Sequence, residues 1–103
     1  MQNDAPHKDP QSCNSMEELR DAIDALDVEL VTLLARRQAY IERAAILKKD
    51  RGTVRDEARI EDVVRKVLAA AKEKGLSPAI AEAVWRVLIE RSILHELQKF
   101  DAK

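Results

Sequence analysis

Residues 15–49, SMEELRDAIDALDVELVTLLARRQAYIERAAILKK, contain neither glycine nor proline. Ser15 and Glu18 have the S-x-x-E spacing of a capping box, which satisfies backbone N–H groups at the start of a helix. Apolar side chains then recur at intervals of three and four residues, the spacing of one helix face. The pattern predicts a single helix over residues 16–49. Its apolar positions are Leu19, Ile23, Leu26, Leu30, Leu33, Leu34, Ile41, Ala44, Ala45 and Leu47.

The predicted length of this helix has a consequence for assembly. At 1.5 Å per residue the helix is about 50 Å long, whereas a compact domain of this size has a radius of gyration of about 13 Å. The remaining residues are too few to cover its whole apolar face. Because a second copy of the chain is the simplest cover, the length predicts a homodimer.

Two shorter helices are predicted to follow. The segment DRGT, residues 50–53, ends the first helix, and an apolar stripe predicts the second over residues 56–73, with Gly75 just beyond it. Ser77, followed by proline, N-caps a third helix over residues 78–100. With 2 glycines, 3 prolines and 3% aromatic residues, the composition indicates an all-α chain of one long and two shorter helices and argues against a β-sandwich.

The rest of the sequence bears on compartment and partners. Residues 1–14 are polar and lack the apolar segment of a secretory signal, so they are predicted to be a disordered tail before a helical domain over residues 15–103. Cys13 is the single cysteine, which favours a reducing compartment, and we expect a cytoplasmic protein. A net charge of −1 argues against nucleic-acid binding, and no apolar run reaches the roughly 20 residues of a membrane span.

Two cations lie on the apolar face of the first predicted helix. Arg37 and Lys48 are separated by three helical turns, so they differ by about 20° in azimuth and lie about 16 Å apart along the axis. Cations on a buried stripe require anionic partners, because desolvation costs several kcal/mol for each charge. The alternative is that both side chains extend along apolar surface and keep their charges in water.

Polar residues also lie near the apolar stripes of the other two helices. Asp56 and Arg59 open the second helix. The alternative to a binding role is that Asp56 interacts favourably with the helix dipole as a first-turn acid and that Arg59 is a solvated surface residue. Ser92 and Glu96 continue the apolar line of the third helix, so Glu96 requires a cation partner or a proton unless the helix end frays. His95 and Glu96 lack the second histidine of the H-E-x-x-H motif, which argues against a metal site. A helical cavity with several cations, one hydroxyl and one carboxyl suits a small dianionic ligand.

Four parts of the sequence form a combined pattern: LRDAIDALDVELVTLLARR (residues 19–37), Lys48, VRDEAR (residues 54–59) and GLSPAIAEAVWRVLIERSILHE (residues 75–96). With this pattern the chain resembles the all-helical chorismate mutase family, which also contains isochorismate pyruvate lyases. The resemblance covers nearly all of residues 16–100. It implies an intertwined homodimer of three-helix chains, in which an arginine from the partner's first helix completes each active site.

The resemblance also implies a role for each matching side chain. Arg20 would be the arginine lent across the dimer, Arg37 and Arg59 would clamp the substrate, and Lys48 would bond its ether oxygen. Lys48, Glu96 and Arg37 are the implied catalytic residues. The full set of implied substrate-binding residues is Arg20 from the partner chain, Arg37, Lys48, Asp56, Arg59, Ile60, Ser92 and Glu96.

The implied activity is the concerted [3,3] rearrangement of chorismate, a small dicarboxylate, to prephenate without a cofactor. Two positions depart from the family pattern: Ile60 stands where mutases often carry a glutamate, and Glu96 where many bacterial members carry a glutamine. Ile60 looks more like the lyase branch, whereas Asp56 and Ser92 look like the mutases. The preferred hypothesis is a chorismate mutase. The alternatives are an isochorismate pyruvate lyase, which yields salicylate and pyruvate, and a non-enzymatic helical dimerisation module with solvated cations.

Overall fold

The computed structural model describes residues 8–103, and the described residues form helices without a β-strand. The predicted all-α class with one long and two shorter helices is confirmed. The long helix carries the capping box at its start, and the two shorter ones follow the predicted breaks. The elements in chain order are a 3-10 turn at Pro10–Ser12, α1 at Met16–Leu47, a 3-10 turn at Arg51–Thr53, α2 at Glu57–Lys74 and α3 at Pro78–Ala102.

The chain divides into two compact units, one that ends at Arg37 and one that spans Gln38–Lys103. α1 contributes residues to both units, whereas α2 and α3 belong to the second. Between residues 8 and 103, no helix combines the length and the apolar character needed to cross a membrane.

The start of α1 lies where the capping box predicts it. Ser15 Oγ accepts a hydrogen bond from the Glu18 backbone N–H at 3.1 Å. The Glu18 carboxylate accepts from the Asn14 N–H and pairs with Lys8, and these contacts hold the pKa of Glu18 below its usual range. Residues 1–7 of the predicted tail lie outside the described residues. The predicted domain boundary before Ser15 stays a prediction.

α1 ends at Leu47, two residues before the predicted end. The Lys48 N–H still donates to the Ala44 carbonyl at 2.9 Å. The Asp50 carboxylate then accepts from the Gly52 N–H at 2.9 Å and supports the following 3-10 turn. Such a local side-chain hydrogen bond competes with continuation of the helix. Lys48 therefore lies at the junction where α1 ends.

α2 and α3 form a helical hairpin and pack against each other. Asp56 caps α2, so the helix begins one residue later than predicted. Gly75 ends α2 with φ 79°, a left-handed conformation that a side chain would strain. Ser77 caps α3 by accepting from the Ile80 N–H, as predicted. The hairpin core consists of Ile60, Val64 and Ile89, with Val63, Leu68, Trp85 and Ile93 packed around it.

The apolar side chains of α1 in the unit that ends at Arg37 are largely exposed. Among the residues of α1, Ala45 alone is buried. An apolar surface of this extent is typical of a face that associates with another protein surface. The predicted homodimer stays a prediction. The exposed apolar residues of α1 in the unit that ends at Arg37 are Met16, Ile23, Leu26, Val28, Leu30, Val31, Leu33 and Leu34.

Candidate active site

Glu96 on α3 is a buried carboxyl that faces a lysine from the end of α1. The residue is 4% exposed, and Lys48 Nζ lies 2.8 Å from its Oε2. The Lys48 side chain is 30% exposed, so it is partly accessible to solvent. The predicted cation partner of Glu96 is thereby found. The alternative that α3 frays here is wrong, because the helix continues to Ala102.

The contact between Lys48 and Glu96, hereafter the Lys48–Glu96 pair, joins an ammonium and a carboxyl group at ion-pair distance. Among the described residues, no hydrogen-bond donor other than the Lys48 ammonium reaches Oε2. The attraction between two charged groups does not always offset the cost of removing them from water. The pair is therefore a candidate contact point for a polar ligand atom.

A second polar contact joins α1 to α3 through the residue that precedes Glu96. His95 Nε2 on α3 lies 2.6 Å from Glu42 Oε2 on α1. The hydrogen bond from His95 is the main cause that holds the pKa of Glu42 below its usual range. The sequence suggests His95 only as part of an incomplete zinc motif, and it does not predict the contact of His95 with Glu42. The two residues are 53 positions apart, so no periodic pattern connects them.

The first turn of α2 carries two of the predicted substrate-binding residues. The exposed Asp56 carboxylate accepts from the Arg59 backbone N–H at 3.1 Å, so Asp56 has the structural role of helix cap. The Arg59 guanidinium is exposed and lies 3.0 Å from the Asp62 carboxylate. Lys66 also binds Asp62 and is the main cause that lowers its pKa. A ligand carboxylate at this place would compete with Asp62 for Arg59.

The other two predicted residues of the hairpin differ in burial. Ile60 is 7% exposed and packs in the hairpin core with Val64 and Ile89. Ser92 is partly buried and lies one helical turn before Glu96, hence on the same face of α3. Ile60 therefore stabilises the hairpin. The substrate contacts of Ile60 and Ser92 stay predictions.

The two remaining predicted residues lie on α1 in the unit that ends at Arg37. Arg20, in the second turn, is exposed, and Arg37 is partly buried. Exposure of Arg20 suits a side chain that reaches another molecule. The substrate contacts of both arginines stay predictions.

The Lys48–Glu96 pair can supply two chemical functions. Lys48 offers a positive charge, and Glu96 offers a hydrogen-bond donor when it carries a proton. Both groups suit a ligand oxygen on which negative charge develops. Within residues 8–103, no cluster of three His, Cys, Asp or Glu side chains is placed to hold a metal ion.

Comparison with known proteins connects this arrangement to a family. The sequence model of the type II chorismate mutases matches residues 19–97. The chain belongs to the chorismate mutase type II family. The resemblance seen in the sequence is confirmed, and the matched segment contains every residue to which it assigned a role, from Arg20 to Glu96.

A curated relative comes from the lyase branch. Isochorismate pyruvate lyase of Pseudomonas aeruginosa is 25% identical over 91 residues, which cover 88% of this chain and 90% of the relative. The match to this lyase thus extends over nearly the whole length of both proteins.

Proposed function

We propose that the chain is a chorismate mutase that rearranges chorismate to prephenate without a cofactor. The observation that carries the proposal is the buried Glu96 carboxyl 2.8 Å from the Lys48 ammonium, at positions where the family resemblance implies contacts to the ether oxygen. As the C–O bond breaks, negative charge grows on that oxygen. A cation fixed beside a buried group stabilises this charge more in the transition state than in the ground state.

Glu96 assists Lys48 in its protonated form. An ionised carboxylate only accepts hydrogen bonds, whereas a protonated carboxyl has one O–H donor. Without substrate, Lys48 and Glu96 face each other directly. With substrate bound, the ammonium and the O–H both donate to the ether oxygen, which lies between them.

The arginines supply the positioning. Arg37, Arg59 and the partner subunit's Arg20 bind the two substrate carboxylates, since guanidinium groups pair with carboxylates in a bidentate geometry. This holds the enolpyruvyl group over the ring in its reactive conformation and lowers the entropic part of the barrier. At Arg59 the substrate carboxylate replaces Asp62, a replacement that exposure of the Arg59 guanidinium permits. Asp56 lies near the ring hydroxyl.

The proposed enzyme is a homodimer whose site needs both chains. The uncovered apolar stripe of α1 supports this assembly, because pairing with a second copy buries it. An exposed Arg20 on the same helix is then carried to the partner's site. The dimer thus links burial of α1 to completion of the active site.

Isochorismate pyruvate lyase is the second candidate function. Two observations favour it: the Pseudomonas aeruginosa relative bears that name, and Ile60 is an apolar core residue where mutases often have a glutamate. The ring hydroxyl sits differently in isochorismate, so residues near α2 bear on the choice of substrate. Asp56 and Ser92 favour the mutase.

Product analysis decides between these functions. The pure protein is incubated separately with chorismate and with isochorismate, and the products are identified. Prephenate from chorismate as the faster reaction is the expected result. Salicylate and pyruvate as the main products would contradict the mutase proposal in favour of the lyase.

A dicarboxylate mimic of the transition state, at 100 times its Kd, should also stabilise the fold by about 2.7 kcal/mol. If the protein shows no turnover of either substrate and no stabilisation by the mimic, a non-enzymatic dimerisation module is favoured.

A further inference from the structure

The C-terminal end of α1 is satisfied by a side chain from the end of α3. A helix leaves its last carbonyls without intrahelical partners, and α1 has no basic residue in its own last turn. The Lys103 ammonium donates to the Ala45 carbonyl at 2.8 Å and lies 3.5 Å from that of Ile46. A cation at this place also interacts favourably with the helix dipole.

The same ammonium binds the backbone of Lys48. Lys103 Nζ donates to the Lys48 carbonyl at 2.6 Å, while the Lys48 N–H donates to Ala44. Both backbone polar groups of Lys48 are therefore held, although the residue lies just beyond the end of α1. Lys103 itself stacks over the Phe100 ring, with 4.0 Å from Nζ to the ring centroid.

A further contact fixes the segment that follows Lys48. The Arg51 guanidinium binds the Asp101 carboxylate through two hydrogen bonds of 2.9 and 3.2 Å. These bonds hold the pKa of Asp101 below its usual range. The last turn of α3 thus holds the chain on both sides of Lys48, with Lys103 acting before and at this residue and Asp101 acting after it.

We propose that Lys103 is a positioning residue that fixes the backbone of Lys48, so that the Lys48 ammonium stays beside Glu96 and in reach of the ether oxygen. The inference rests on the proposed function and adds to it a residue outside the segment matched by the family model. Lys103 binds carbonyls of the protein and does not touch the substrate. Its loss therefore alters the placement of a reacting group more than the binding of substrate.

A graded series of variants tests the positioning role. Lys103→Met removes every donor, Lys103→Gln keeps a neutral donor, and Lys103→Arg keeps a charged one. Lys99→Met is the matched control, because Lys99 is an exposed lysine one turn earlier on α3. The order of kcat is expected to be Lys, Arg, Gln, Met, with a loss of about tenfold for Lys103→Met at little change in KM, since small misplacements of a catalytic group are costly.

Hydrogen exchange supplies a readout apart from turnover. The Lys48 amide should exchange faster in Lys103→Met than in Lys99→Met, because the end of α1 frays when its carbonyls lose their donor. Equal kcat and equal exchange in Lys103→Met and Lys99→Met would overturn the positioning role while leaving the proposed function intact. A wild-type chain inactive on both substrates would overturn the proposed function and this role with it. If Lys103→Met does not fold, the comparison of the arginine and glutamine variants decides.

Discussion

Glu96 places an ionisable group in a line of α3 whose other members are apolar side chains and the hydroxyl of Ser92. The hairpin buries the residue to 4% exposure, and Lys48 supplies the charge that compensates it. Among the described residues, the Lys48 ammonium is the one group within ion-pair distance of Oε2. At the scale of the residue, this buried contact supports the proposed role of both side chains in binding a polar ligand atom.

Glu96→Gln tests the role of the carboxyl. A glutamine amide donates at every pH, whereas a carboxyl donates only when protonated. If the carboxyl acts as the donor, the glutamine variant should stay active and its rate should depend less on pH than that of the wild type. Initial rates over a pH series, with kcat and KM separated, provide the measurement. Identical profiles for the two proteins would contradict a protonated Glu96.

At the scale of elements, the hairpin of α2 and α3 combines an apolar core with bidentate ion pairs on its surface. Arg86 on α3 binds Glu61 on α2, and Arg55 before α2 binds Glu90 on α3. The guanidinium hydrogen bonds hold the pKa values of Glu61 and Glu90 below their usual range. These exposed pairs favour one register of the hairpin, and hence a defined position for Glu96.

Asp56 at the start of α2 has a structural role as helix cap and a proposed role in substrate binding, which two substitutions separate. Asp56→Ala should lower the free energy of unfolding by about 1 kcal/mol, because the cap of α2 is lost. Asp56→Asn keeps a capping side chain and should unfold like wild type. If Asp56 also contacts the ring hydroxyl, the asparagine variant loses activity without losing stability. Urea unfolding and initial rates check both statements, and full activity in Asp56→Asn would leave only the cap.

Elements and site differed in how far the sequence predicted them. The three helices were predicted to within two residues because their signals are local: Ser15 and Ser77 cap, and Gly75 ends a helix. The need of Glu96 for a cation was also predictable, since helical periodicity placed it on an apolar line. The contacts of Glu42 with His95 and of Lys103 with Lys48 join residues more than 50 positions apart. No local pattern encodes such contacts, so only the packing of α3 against the end of α1 reveals them.

At the scale of the whole molecule, the proposed active site depends on a second copy of the chain. α1 exposes most of its apolar stripe, while the family resemblance assigns Arg20 to the partner's site. Among the residues of α1, Ala45 alone is buried. Dimerisation would bury the apolar face of α1 and would also supply the partner's Arg20 to the proposed site.

Complementation tests the shared site. Arg20→Ala and Arg37→Ala chains should each be inactive alone. In a mixed dimer one of the two sites has both arginines, since each chain lacks a different one. Random exchange makes half of the dimers mixed, so roughly a quarter of wild-type activity should return. Activity is measured after partial unfolding and refolding of the mixture, and mass spectrometry confirms exchange. Mixed dimers without any activity would contradict a site built from both subunits.

The rate of prephenate formation in Lys48→Met tests the proposed role of the Lys48 ammonium in the reaction. Lys49→Met is the matched control, an exposed lysine at the adjacent position. Circular dichroism checks folding, and the Lys48→Met, Glu96→Gln double variant avoids an uncompensated buried carboxylate if the single variant is unstable. We expect kcat to fall on the order of 10²- to 10³-fold in Lys48→Met, the usual effect of removing one donor to a developing oxyanion, and to stay unchanged in Lys49→Met. A folded Lys48→Met chain that forms prephenate at the wild-type rate would contradict the account.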